Sequence, residues 1–186
     1  MLALAFIGFF VQLLTFPGVV VHEFAHKKAC DYVGVPVLDV AYFRLGSPAG
    51  YVQHLEPERY RETFAISVAP FLVNTLVAFA LFLGLATAIA ANGGDGVEPS
   101  AAGTTGLVLF WLGISVGMHS FPSTGDANTL WSRSRAEWRG SPVVLLGIPV
   151  VVVIYVVNLL SRLWADLIYA VGLLLLASWV VGIGAF

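Results

Sequence analysis

The chain has 186 residues, of which 59% are hydrophobic and 11% charged, with a formal net charge of −2. A soluble domain carries about 25% charged residues, so this composition excludes an ordinary water-facing surface and points to one helical domain embedded in lipid. The small net charge offers no bulk attraction to nucleic acid, and the lone cysteine, Cys30, excludes an internal disulfide and a zinc site built mainly from thiolates.

The first segment is expected as a helix over residues 2–32. It has no positively charged start and no small-residue cleavage site, so it reads as a retained span. Pro17 must kink this helix or open a new one, with Thr15 or Phe16 as the cap. Gly34 ends it, and Pro36 prevents its resumption. Residues 35–56 differ in character. Val37, Val40, Tyr42 and Phe43 are strand formers, Gly46-Ser47-Pro48-Ala49-Gly50 is a turn cluster, and Tyr51–Leu55 follows as a second short strand, predicting a membrane-associated β-hairpin.

The second helix is expected over 57–91, opening at Pro57 and free of charge from Phe64 onward. Asn92–Gly103 is a flexible connection, and a third helix covers 101–120. His119–Gly140 is a longer polar connection with room for a short helix. Further apolar runs predict helices over 141–161 and 163–186. The expected fold is therefore an all-α polytopic membrane protein of about five transmembrane helices, with the hairpin after the first.

Lysine and arginine set the expected orientation. Lys27, Lys28, Arg44, Arg59 and Arg61 lie between the first two segments, and Arg133, Arg135 and Arg139 between the third and fourth. Both connections then face the cytoplasm and the N-terminus faces out. Arg162 stands apart, either at the outer interface beside Trp164 or between two shallower helices.

The strongest chemical signal is His22-Glu23-Phe24-Ala25-His26. Positions i and i+4 share one helix face, so both imidazoles can reach one metal ion. Glu23, between them, can take a proton from a bound water. The alternative, two satisfied histidines and a snorkelling glutamate, places a costly titratable cluster near lipid without a use. Lys27 and Lys28 mark the cytoplasmic boundary, which puts His22 about 8 Å into the membrane by helical rise.

A catalytic zinc needs three protein ligands and an open position for water. Asp126 is the leading candidate for the third ligand, since its depth after the third helix matches that of His22 and His26. It reads equally as an N-cap of a short helix starting at Ala127. His119 and His54 are rival ligands. Asn74, about 15 Å deep by helical rise, is either a hydrogen-bonding link between helices or a donor to the substrate carbonyl or developing oxyanion. The hairpin edge is either a plain surface feature or a platform that holds unwound substrate backbone by β-augmentation. Cys30 reads as a small packing residue.

Three stretches resemble a known family in the same chain order. Phe16-Pro17-Gly18 leading into His22-Glu23-Phe24-Ala25-His26 is similar to the first motif of the site-2 proteases. Ala69-Pro70-Phe71-Leu72-Val73-Asn74 resembles their middle-helix motif, and Phe121-Pro122-Ser123-Thr124-Gly125-Asp126 resembles their third. The resemblance spans roughly Leu14–Leu130 and implies an intramembrane zinc metalloprotease. One Zn²⁺ would be held by His22, His26 and Asp126, with Glu23 as the base and Asn74 orienting the substrate. The implied substrates are transmembrane proteins or peptides, cut near the cytoplasmic side of the bilayer. The alternative is a non-proteolytic zinc-binding membrane protein acting as a regulator, chaperone or metal carrier.

Overall fold

The computed structural model describes residues 2–91, 101–139, 144–161 and 164–182. The first expected helix is two: α1 (Leu2–Leu14) and α2 (Phe16–Val33), bent by 68° at Thr15. The break has a local cause. Pro17 cannot donate into the preceding turn, so α2 starts afresh with Thr15 as its N-cap and proline in its first turn. The Thr15 hydroxyl donates backward to the Val11 carbonyl at 2.8 Å, finishing α1. At the other end Gly34 (φ 78°) takes the left-handed cap position and donates its N–H to the Cys30 carbonyl.

The hairpin forms where it is expected. Strand β1 (Val37–Ala41) pairs antiparallel with β2 (Tyr51–His54), aligning Ala41 with Tyr51 and Val37 with His54, with an irregularity between Val37 and Asp39. Its tip is tied to α1, because the Gln12 side-chain amide donates to the Gly46 carbonyl at 2.7 Å.

Helix α3 (Tyr60–Ala91) starts three residues later than Pro57. The Glu62 carboxylate reaches back to the Arg59 N–H at 3.1 Å, so Arg59 takes the cap position and Pro57 lies outside the helix. At 32 residues, α3 spans about 48 Å, more than the hydrocarbon thickness of a bilayer. Three helices follow the same order as expected: α4 (Ala101–Met118), α6 (Val144–Leu160) and α7 (Ala165–Val181). Between α4 and α6 lies a short polar helix, α5 (Thr124–Glu137). Most of the Asn92–Gly103 connection, Arg162, and the outermost residues expected in the last two helices lie outside the described residues.

Helix α3 is the hub and packs against α2, α4, α5 and α7. Ala78, Phe82 and Leu85 of α3 meet Val116 of α4 and Leu173 and Ala177 of α7 in the main core. A second cluster joins Tyr60 of α3, Leu130 of α5, and Val144 and Val151 of α6. Cys30, Val35 and Ile66 form a third, where Cys30 is a fully buried packing residue as expected.

The outward faces are apolar: Leu76, Leu107, Ile168 and Trp179 are each more than 60% exposed. Among the described residues, α3 is the single helix long and apolar enough to cross a membrane unaided. Counting α1 with α2, and α6 with α7 (bent by 105°), as broken spans raises the number to three. Of the five separate spans expected from hydropathy, the described residues show one clear span and two bent pairs, each either a broken span or a re-entrant loop, with α4 a shorter apolar helix.

Candidate metal centre

One turn of α2 carries His22, Glu23 and His26, and the start of α5 carries Asp126. The two imidazoles stack edge to face with centroids 4.9 Å apart. Ligand atoms of His22, His26 and Asp126 all lie within 4.8 Å of one another. Two ligand atoms each about 2.0–2.1 Å from a tetrahedral zinc stand about 3.4 Å apart. The observed His26 Nε2 to Asp126 Oδ1 separation is 3.5 Å.

The donor chemistry also fits. His22 Nδ1 donates to the His119 carbonyl at 2.7 Å, and His26 Nδ1 donates to the Ile66 carbonyl at 3.0 Å. A carbonyl only accepts, so both rings carry their proton on Nδ1 and present Nε2 as the free lone pair. This is the arrangement that orients histidine ligands and raises their basicity. Asp126 divides its two oxygens in a similar way. Its Oδ2 accepts from the Ser123 N–H at 2.8 Å and hydroxyl at 2.6 Å, while Oδ1 faces His26. The residues thus suit a borderline-soft divalent ion with nitrogen and oxygen ligands.

Asp126 is not an N-cap. Ser123 is the cap, and Asp126 sits at the third helical position, closing a reciprocal capping box. The Ser123-x-x-Asp126 spacing is a sequence signature of that box and was the available signal. Capping and ligation are compatible, because each occupies a different oxygen.

The centre opens into a cavity of about 640 Å³. His22, Glu23, His26 and Asp126 line one wall, and Gly50, Tyr51, Val52 and His54 of the hairpin line another. Glu23 is buried. A Cβ on Gly50 would come within 2.6 Å of the Glu23 side chain, so the hairpin closes directly over the carboxylate. The lining also includes Asn158 of α6, Ser161 and Asp166 of α7, with the Ser161 hydroxyl donating to Asp166. Sequence reading assigned no role to these last residues, and an isolated polar group in an apolar run was their only signal.

The rival ligands stand apart. His54 and His119 line the cavity but do not belong to the ligand cluster. His54 Nδ1 donates to the Leu55 carbonyl at 2.7 Å, and His119 Nδ1 to the Ser115 carbonyl at 2.9 Å. Asn74 is fully buried and is not among the residues lining the cavity. Its Nδ2 donates to three backbone carbonyls: Gly18 of α2 at 3.3 Å, Val116 of α4 at 3.3 Å, and His119 at 3.0 Å. Turning the amide over would set its oxygen against three carbonyl oxygens, so this orientation is dictated by its surroundings. Its Oδ1 has no partner among the described residues, at a cost of about 1–3 kcal/mol.

Close approach of α2 to α4 makes the cluster possible. A Cβ at Gly18 would collide with the Ser115 carbonyl oxygen and lie 2.6 Å from His119 Nδ1. Instead the Gly18 N–H donates to the Ser115 hydroxyl at 2.9 Å, and that hydroxyl donates to the Thr15 carbonyl at 3.0 Å. No family model matches the chain, and neither curated proteins nor solved structures provide a match.

Proposed function

We propose that this chain is a membrane-embedded zinc metalloprotease of the site-2 protease kind, hydrolysing peptide bonds in or near transmembrane segments. The observation that carries this reading is the convergence of His22, His26 and Asp126, each with a free ligand atom, beside a buried Glu23 that shares their cavity. His22 and His26 through Nε2, and Asp126 through Oδ1, would hold the ion. Bound there, zinc would lower the pKa of its water and polarise the scissile carbonyl.

Glu23 accepts the water proton and returns it to the leaving nitrogen. The cavity is large enough for an unwound peptide segment. Its β2 wall offers strand backbone next to Glu23, which suits substrate held by β-augmentation. The apolar exterior and α3 support a bilayer setting. Basic residues around the hairpin and α5 support a multi-pass arrangement with the centre toward the cytoplasm.

Purified chain in detergent micelles should cleave a membrane peptide in a chelator-sensitive way. Glu23→Gln should bind zinc at wild-type stoichiometry and lose activity by about 10²–10⁴-fold. Chelator-sensitive cleavage that survives Glu23→Gln would reject Glu23 as the base. A zinc-loaded wild type that cleaves nothing would favour the regulator or carrier alternative.

A further inference from the structure

Both ligand histidines lean on backbone carbonyls, one within a short stretch of α3 and the other held by a side chain of the same stretch. In a regular helix the carbonyl of residue 66 accepts from the N–H of residue 70. Position 70 is Pro70, inside α3 and fully buried, and it has no N–H. The Ile66 carbonyl is therefore released from its own helix, and it accepts from His26 Nδ1 instead. One turn further on, Asn74 donates to the His119 carbonyl, the same oxygen that accepts from His22 Nδ1. That oxygen lies just past the end of α4, where carbonyls lack intrahelical donors and need outside partners. It has two lone pairs, and each has one donor.

We propose that Pro70 and Asn74 are positioning residues for the metal centre. Pro70 frees the acceptor that orients His26, and Asn74 holds the acceptor that orients His22. Neither touches the reacting atoms. The proposal rests on His22 and His26 being ligands, and it replaces a substrate-facing role for Asn74 with one that acts on His22 through the His119 carbonyl. It also explains why a proline and an asparagine stand four residues apart in this helix. One turn of α3 thereby sets the tautomer of both rings on α2.

The test uses the full chain in micelles and compares Pro70→Ala, Asn74→Ala and Ser115→Ala with wild type. Ser115→Ala is the control, since it removes another buried α2–α4 hydrogen bond without touching either acceptor carbonyl. Zinc affinity is read by chelator competition. Cobalt-loaded protein is read by proton NMR, in which each ligand's Nδ1–H gives a shifted exchangeable resonance.

Pro70→Ala and Asn74→Ala should each weaken zinc binding by about 10–100-fold, while Ser115→Ala stays within about twofold. Pro70→Ala should speed exchange of the His26 proton and Asn74→Ala that of the His22 proton. Wild-type affinity and slow exchange in both variants would overturn the proposal. So would an equal loss in Ser115→Ala, which would reduce the effect to general packing. Should Asn74→Ala not fold, Pro70→Ala decides alone. A wild type that takes up no zinc would instead overturn the metal centre and, with it, this proposal.

Discussion

One oxygen of Asp126 closes a helix cap while the other faces the ligand cluster, so the residue joins local folding to coordination. Asp126→Ala should abolish stoichiometric zinc in purified protein by elemental analysis. His119→Ala should keep it, because the contact to His22 comes from the His119 backbone carbonyl, which alanine retains. Zinc lost in His119→Ala and kept in Asp126→Ala would exchange their roles. This contrast shows what a sequence exposes at this scale. His22, Glu23 and His26 were legible because their geometry follows from helical spacing alone. Asp126 was legible as the leading third ligand from its depth after the third helix, whereas its place beside the two imidazoles follows from where α5 docks. The Ile66 and His119 carbonyls could not be read at all, since backbone oxygens carry no residue identity.

At the level of elements, helix ends set by backbone constraints were easier to read than those set by side-chain caps. Pro17 and Gly34 act through backbone constraints, and the structure breaks and stops α2 at those points. Pro57 misled because the Glu62 carboxylate accepts from the Arg59 N–H, which starts the helix at Tyr60, three residues later. The hairpin matters for where it lies as well as for its pairing. Gly50→Ala places a methyl group against Glu23 and close to the Ala41 carbonyl. It should cut cleavage by tenfold or more while zinc content stays at wild type, a split that elemental analysis and peptide assay together resolve. The α5 cap offers a second case. Ser123→Ala removes the hydroxyl that accepts from the Asp126 N–H and donates to Asp126 Oδ2, leaving the Ser123 N–H arm of the box, and should cost about 0.5–2 kcal/mol, read as a lower midpoint in thermal unfolding. It also removes one of the two bonds that hold Asp126 Oδ2, so zinc affinity should fall along with stability. Unchanged affinity would show that Asp126 needs no cap to reach the ion.

The whole molecule divides into two packed bodies around α3. Helices α2, α4 and α7 surround its middle, while α5 and α6 meet its first turn through Tyr60 and Leu130. Arg133 of α5 adds bonds to the Pro57 and Glu58 carbonyls, each at 2.8 Å, and α6 barely touches α7. Two of the three candidate ligands ride on α2 in the first body, and the third rides on α5 in the second. Chelation should therefore raise hydrogen exchange across Thr124–Glu137 and Val144–Leu160 while Ala78–Leu85 stays protected. Uniform protection with and without chelator would separate ligation from the docking of α5. If the ion does rivet the two bodies, α5 is a wall held upright by what it encloses. Charging the centre and assembling the cavity around it would then be one event, and an ion-free chain would lose the shape of the cavity along with its ligand set.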